Sequence, residues 1–377
     1  MNIRRYHPSD NTAISRLNLR LEQGGAADRV YPENGDAFGR AQQEQGPVST
    51  RLWVAADGSE VRGGVWLKEH AFWAADKSLQ AGWVKYPVAE SIVDRQYGGV
   101  PGAMIFKLVR QQPNLMAIGM GGHHQPIARI FSALGWKGHT LPLYFYISNP
   151  SKVLRECSFL RNSPAKRMLA DLLAYSGAGW AGGKIFMASR RTLGCMLSGP
   201  CQTETVQQFD TWADSIWERG KHHYKLVAVR DSEMLNAFYP NSLPSITKLR
   251  ISQGKQNIGW ACVARFLEQK EAGAKFGKSK AAVIFDMFGH PENARKIVAA
   301  ATDQVIKSGA DIVFANVSHE SWGKAFRNSG YFRTSGNYAF YSSPALTRYL
   351  NLDPETFKKC LFTVADSHAP EMLRIHL

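Results

Sequence analysis

Cysteine is scarce in this sequence: five in 377 residues, at Cys157, Cys195, Cys201, Cys262 and Cys360. The number is odd, the positions are scattered, and no two have CxxC spacing. Neither a disulfide framework nor a cysteine zinc site is indicated, and the thiols read as reduced, in a cytoplasmic protein. No stretch approaches the ~18–20 uninterrupted apolar residues of a membrane span. The opening, Met1-Asn2-Ile3-Arg4-Arg5-Tyr6-His7-Pro8, has basic residues with no apolar run behind them, so no secretory signal is expected. His222 and His223 lack partners at ligand spacing, and no metal is expected. A Gly-x-Ser-x-Gly elbow is also missing.

Acidic residues are in the minority, 31 against 46 Lys and Arg, for a net charge of +15. Such a balance favours anionic partners: nucleic acid, anionic lipid or phosphorylated substrates. The basic residues form no run of five or six, and no RNA-binding motif accompanies them. They are spread through Arg155, Arg161, Lys166, Arg167, Arg190, Arg191, Lys221, Lys225 and the 275–280 segment, as on a solvated basic surface. Hydrophobic residues at 44% and aromatics at 11% argue for a folded globule, and 377 residues suit two domains.

One stretch, residues 80–136, organises the rest. It runs from a strand-like Gly82–Val88 through Glu90–Arg95 to a glycine-rich turn, Gln96-Tyr97-Gly98-Gly99-Val100-Pro101-Gly102. A helix-like Ala103–Arg110, an apolar Leu115–Met120 and a second helix-like segment ending at Trp136 follow. This is a βαβα unit. A glycine turn at a helix N-terminus gathers bare N–H groups and the positive end of the helix dipole, which suits an anion.

Before this stretch, Ile3–Tyr6 reads as a strand, His7–Asp10 as a capped turn, and Ile14, Leu17, Leu19 and Leu21 as an amphipathic helix. Residues 23–48 read as a loop. Thr50–Lys68 predicts two strands around Ala56–Ser59, and Ala71–Val88 two more. Leu141–Ile147 is a strand that would close a first domain near residue 149. Residues 150–202 read as a helical bridge with a glycine-rich connector, Gly177–Gly183. A second domain, 203–377, would carry a helix over Phe209–Trp217, strands at Tyr224–Val229, Ser245–Ile251, Ile258–Phe266, Ala281–Phe288 and Ile312–Val317, a loop over 267–280, and helices near Glu292–Ser308 and His319–Asn328.

The halves echo each other. Thr50-Arg51-Leu52 through Gly63-Gly64-Val65-Trp66 matches Thr247-Lys248-Leu249 through Ile258-Gly259-Trp260, and Leu134-Gly135-Trp136 with Tyr144-Phe145-Tyr146 parallels Ser329-Gly330-Tyr331 with Tyr338–Tyr341. The second copy has Gly289-His290-Pro291-Glu292 and no Gly-x-Gly turn. Glu292 there would repel a phosphate.

The turn, its place between two strands, and Leu134-Gly135-Trp136 about thirty residues on resemble the acyl-CoA-binding core of the GNAT superfamily of N-acyltransferases. The family turn, Gln/Arg-x-x-Gly-x-Gly/Ala, would be Gln96-x-x-Gly99-x-Pro101, with Pro101 a departure that removes one N–H. The resemblance implies an α/β (α+β) fold of two tandem GNAT-like modules, each a mixed twisted sheet flanked by helices. It implies acetyl-CoA or another acyl-CoA as co-substrate, held by Gln96, Tyr97, Gly98, Gly99, Val100, Pro101, Gly102 and Ala103 in the first module alone.

It further implies a base for the attacking amine and an acid for the leaving thiolate. Many members use a tyrosine as the acid, where Phe131 stands here and Phe326 in the second copy. His123 and His124 are the candidates for proton transfer. A polar loop capping a strand is the equal alternative for them. Glu90 and Asp94 are candidate bases, with solvated carboxylates as their bland reading. Tyr86 and Arg230 are candidate substrate contacts, against core packing for the first and a surface ion pair with Asp231 for the second. Trp53, Trp66, Trp73, Trp83 and Trp136 read mostly as core, with a sugar-sized cleft as the other use. The implied acceptor is an amine, foremost an amino sugar of cell-envelope or exopolysaccharide assembly, plain or phosphorylated, with peripheral contact to an anionic membrane and no nucleic acid. Two rivals remain: a Fem-type aminoacyl-tRNA-dependent transferase, which would have no need of the CoA turn, and a non-catalytic CoA-binding or scaffold protein.

Overall fold

A computed structural model describes residues 1–31, 46–158, 201–243, 246–264 and 277–370. Most of the expected 23–48 loop, the bridge beyond Ser158 and the loop up to residue 276 lie outside the described residues. The chain divides into two compact units. Unit 1 is Met1–Leu141 with Gly336–Phe357, and unit 2 is Pro142–Ser335 with Lys358–Leu377.

Unit 1 begins with β1 (Asn2–Arg5) and α1 (Asn11–Gln23). His7 and Asp10 cap the turn between them reciprocally, and Arg4 grips the Asp10 carboxylate at 2.7 Å. The Arg4 hydrogen bond, above all, lowers the Asp10 pKa. Then come β2 (Val48–Asp57), β3 (Glu60–Ala74), β4 (Lys77–Ala89), α2 (Val100–Gln111), β5 (Leu115–Met120), α3 (Pro126–Ala133) and β6 (Lys137–Ile147). Ala71–Val88 is not two strands. Ala71–Ala74 ends β3, and β4 returns from a tight turn at Ala75 and Asp76, whose φ values are 49° and 59°. Neither residue is glycine, so the turn carried no sequence signal.

The apolar side chains of α1 (Ile14, Leu17, Leu21) pack on Leu52, Val54, Trp66 and Val88. Those of α2 (Met104, Ile105, Leu108) pack with α3's Phe131 on Val65, Leu67, Val84 and Ala117. Alternate residues of the same strands thus serve two cores, as the period of a strand dictates.

Unit 2 contains α4 (Pro150–Glu156), β7 (Gln202–Val206), α5 (Thr211–Gly220), β8 (Leu226–Ala228), α6 (Ser232–Phe238), β9 (Ile246–Gln253), β10 (Gln256–Ala264), β11 (Ala281–Gly289), α7 (Ala294–Lys307), β12 (Ile312–Asn316) and α8 (Glu320–Asn328). The chain ends with β13 (Phe332–Ser342), α9 (Pro344–Leu350), α10 (Pro354–Phe357) and α11 (Val364–His368).

The strand order in unit 1 is β1-β2-β3-β4-β5-β13, and in unit 2 it is β6-β12-β11-β10-β9-β7. Among the described strands, each unit has a parallel pair joined through a helix, β4 with β5 and β11 with β12, with antiparallel neighbours. Neither unit is a continuous piece of sequence. Residues of β13 from Tyr338 to Ser342 pair with β5, and residues of β6 from Leu143 to Ile147 pair with β12. The compact units are therefore composed differently from the contiguous segments 1–149 and 203–377. Leu141–Ile147, expected to close the first domain, pairs with β12 of unit 2, because partner choice is not written in local pattern.

Candidate functional site

The site in unit 1 starts from a failure of pairing. β4 and β5 meet in register at Gly82–Leu115 and Trp83–Met116, and at no later described pair. Both strands run on, β4 to Ala89 and β5 to Met120. Beyond Trp83 the two strands share no described pair, which marks an opening between them.

A bulge in β4 accompanies the separation. Gly64 of β3 pairs with Val88, and Trp66 pairs with Lys85, so Val65 alone faces both Tyr86 and Pro87. An extra residue of this kind bends the strand. Tyr86 sits at φ 45°, in the left-handed region, and precedes a proline. Such a conformation costs about 1–3 kcal/mol and persists only when its surroundings impose it. Its side chain is 41% exposed, so Tyr86 is accessible and is not core.

The glycine turn lies between β4 and β5. A short 3-10 turn, Arg95–Tyr97, leads to α2, which begins at Val100 with Gly99 as its N-cap and no side chain capping it. The first helical N–H groups have no intrahelical acceptor, and Pro101 contributes none. A Cβ added at Gly99 or Gly102 would meet no atom within 4 Å. That open space fits an anionic group lying against the turn. Tyr97 lies under the Arg62 guanidinium at 4.5 Å.

The nearby carboxylates are engaged. Glu90 is 4% exposed, and it accepts from Arg20 Nε at 2.8 Å, Arg20 Nη2 at 3.1 Å and Arg62 Nη1 at 3.0 Å. Two guanidiniums occupy its oxygens, which makes it an anchor between α1, β3 and β4 and not a free base. Asp94 accepts the Gln96 backbone N–H at 3.0 Å and the Gln96 side-chain amide at 2.7 Å. It shapes the turn.

His123 and His124 are both exposed. His123 has its Nδ1 2.7 Å from the Tyr341 hydroxyl and its Nε2 3.1 Å from Thr140 Oγ1. Tyr341 comes from β13, where it pairs with Ala117, the first residue of β5 past the last pair with β4. Its ring lies 5.3 Å from that of Phe131, which is buried. Burial raises the pKa of the Tyr341 phenol. The structure thus places a tyrosine hydroxyl beside the phenylalanine that lacks one. Sequence reasoning missed Tyr341, since the two residues of the pair are 218 positions apart.

Unit 2 has the same device, finished otherwise. β11 and β12 pair from Ala281–Ile312 to Ile284–Ala315 and then part. Into that gap comes the segment Cys360–Thr363, which is fully buried. Ser318, just past β12, exchanges hydrogen bonds with Phe362 at 3.1 and 2.8 Å. On the other side, Thr363 Oγ1 donates to Asp286 of β11 at 3.1 Å.

Arg230 belongs to this stitching. It is wholly buried and donates to Asp286 at 3.0 Å and Asp366 at 2.9 Å, while Tyr239 donates to Asp286 at 3.1 Å. Arg230 is therefore neither a substrate contact nor a surface partner of Asp231, which instead caps α6. At the start of α7 stands Glu292, its side chain 87% exposed, beside His290. Four of the tryptophans considered for a cleft, Trp53, Trp66, Trp83 and Trp136, are buried.

Among the described residues no group of three or more His, Cys, Asp and Glu could hold a metal, and no helix is long and apolar enough to cross a membrane. No protein-family profile matches the chain, and no curated protein matches its sequence. Solved structures match in fold. A GCN5-related N-acetyltransferase from Anabaena variabilis superposes with a TM-score of 0.52 at 10% identity, over 90% of this chain and 72% of that one. A probable N-acyltransferase from Enterococcus faecalis gives 0.53 at 7% identity, over 92% and 74%. The N-myristoyltransferase of Saccharomyces cerevisiae, solved with myristoyl-CoA and inhibitors, gives 0.51 at 8% identity, over 90% and 80%. At these identities the likeness is one of fold, and it agrees with the α/β class expected from the sequence.

Proposed function

We propose that this chain is an acyl-CoA-dependent N-acyltransferase with one acyl-CoA site, in unit 1. The observation that carries the reading is the contrast of two gaps. The one between β4 and β5 ends at an uncapped helix start with open space around Gly99 and Gly102, whereas the one between β11 and β12 is filled by the chain itself. The first-turn amides of α2 would hold the diphosphate of the co-substrate. The acyl end would lie against β4 beyond Trp83, where a strand N–H can polarise the thioester carbonyl.

In the reaction an amine attacks that carbonyl, a C–N bond forms, and the C–S bond breaks. The nitrogen loses a proton and the thiolate gains one. His123, paired with Tyr341, is the group we assign to proton transfer, because Glu90 and Asp94 are already engaged. CoA thiolate is a fair leaving group near neutral pH, so solvent can complete its protonation. The net charge of +15 favours an anionic acceptor, such as a phosphorylated amino sugar.

The test is a set of parallel calorimetric titrations with acetyl-CoA, CoA and bulk tRNA at physiological salt. One acetyl-CoA per chain and no tight tRNA binding are expected. Tight tRNA binding that weakens steeply with salt, without acetyl-CoA binding, would replace this reading with aminoacyl transfer. His123→Ala should lower turnover about 10²–10⁴-fold and leave acetyl-CoA affinity unchanged.

A further inference from the structure

The bulge at Tyr86 is held by a residue remote from it in sequence. Tyr31 is 3% exposed and sits on the α1 face of the sheet. Asn18 of α1, itself buried, clamps the Tyr31 backbone on both sides: its amide donates to Tyr31 O at 2.8 Å, and its oxygen accepts from Tyr31 N at 2.9 Å. So fixed, the ring reaches the sheet, and its hydroxyl donates to Tyr86 O at 3.2 Å. The same hydroxyl takes a hydrogen bond from the Val88 backbone. One oxygen therefore spans the two bulged residues, Tyr86 and Pro87, from Tyr86 to Val88, where pairing with β3 resumes.

Pro87 has no N–H to offer a neighbour, and Tyr86 is at φ 45°, so the bulge cannot hold itself. The hydroxyl fits only because position 64 is glycine. A Cβ there would lie 2.7 Å from Tyr31 Oη. Burial raises the Tyr31 pKa far above neutrality, so the phenol keeps its proton and stays a donor.

We infer that Tyr31 is a positioning residue for the acyl-CoA site: its hydroxyl fixes the β4 bulge, and the bend there sets the opening between β4 and β5. The inference rests on the reading of that gap as the acyl-CoA site. Tyr31 itself touches β4 and not the reacting atoms. It acts through the strand.

The experiment uses the full chain with acetyl-CoA as probe. Tyr31→Phe removes the hydroxyl, and Gly64→Ala displaces it. Each should weaken acetyl-CoA binding in calorimetry by about tenfold or more, since misplacement by about 1 Å can cost 10²-fold. The double variant should lose little beyond the worse single one, because both act on one bond. Leu17→Ala on α1 is the control for stability alone: it should lower Tm yet keep the acetyl-CoA Kd within about twofold. Hydrogen exchange of the Val88 amide, read without any ligand, should quicken in Tyr31→Phe and not in Leu17→Ala.

Unchanged exchange at Val88 in Tyr31→Phe, or affinity losses that multiply in the double variant, would overturn the assignment. If the wild-type chain binds no acetyl-CoA, the acyltransferase reading falls, and with it the site role of Tyr31. The exchange result then still decides whether Tyr31 holds the bulge.

Discussion

The two units carry the same device and end it in opposite ways. In each, two parallel strands are joined by a helix and diverge past a few shared pairs. In unit 1 the opening lies next in sequence to a helix start with no side-chain cap and open space at Gly99 and Gly102. In unit 2 the segment Cys360–Thr363 hydrogen-bonds to Ser318 beyond β12 and to the Asp286 side chain of β11, and a buried Arg230 with Asp286 and Asp366 ties it down. What differs is whether another segment of the chain is seen to enter the space. On the proposed reading, a divergent parallel pair serves as a binding site only when the polypeptide leaves it unfilled.

The largest effect should come from unpicking the filled gap. Arg230→Met keeps the volume but leaves two carboxylates buried without their cation, and about 3–5 kcal/mol should be lost in chemical denaturation. A loss under about 1 kcal/mol would mean that the triad does not hold the segment. A smaller lever on the same unit is pH. His319, whose Nδ1 caps α8, has its pKa lowered from 6.5 to about 4, chiefly by burial. Above pH 6.5 both states are neutral. As pH falls from 6.5 towards 4, the unfolded chain takes up a proton that the folded chain refuses, so stability drops by at most ~3 kcal/mol across that window. His319→Asn retains a cap without the titration, and its denaturation free energy should fall less than that of the parent over the same range.

Gly99→Glu tests the open gap. The added side chain meets no protein atom at its Cβ, so Tm should hold, while acetyl-CoA binding should weaken more than about 100-fold, or ~2.7 kcal/mol. Unchanged affinity, or two acetyl-CoA per parent chain, would erase the contrast between the units. The smallest effect belongs to Tyr341→Phe, which removes one hydrogen bond to His123 and should cost about 0.5–1.5 kcal/mol of stability in the same denaturation assay.

Much of this was legible in the residues. The strands of unit 2 at Ala281–Gly289 and Ile312–Asn316 are short apolar runs bounded by turns, and they read correctly. The α1 stripe of Ile14, Leu17 and Leu21 announced its buried face. The glycine turn announced a helix with an uncapped start. By contrast, Glu90 read as a free carboxylate because its partners Arg20 and Arg62 lie 70 and 28 residues away. Arg230 read as a surface group because its partners are 56 and 136 residues distant.

By itself the sequence determined most of the elements, the α/β class, the repeat and the place of the glycine turn that opens α2. These rest on periodicities and backbone chemistry spanning a few residues. Tertiary structure alone decided that β13 completes unit 1 and β6 completes unit 2, that Tyr341 reaches His123, that Tyr31 grips the bulge at Tyr86, and that one gap is filled while the other stays open. Edge strands accept any partner with free N–H and C=O groups, and a buried charge accepts any opposite charge that reaches it. Such pairings are chosen by packing across the whole chain, and no local pattern records them.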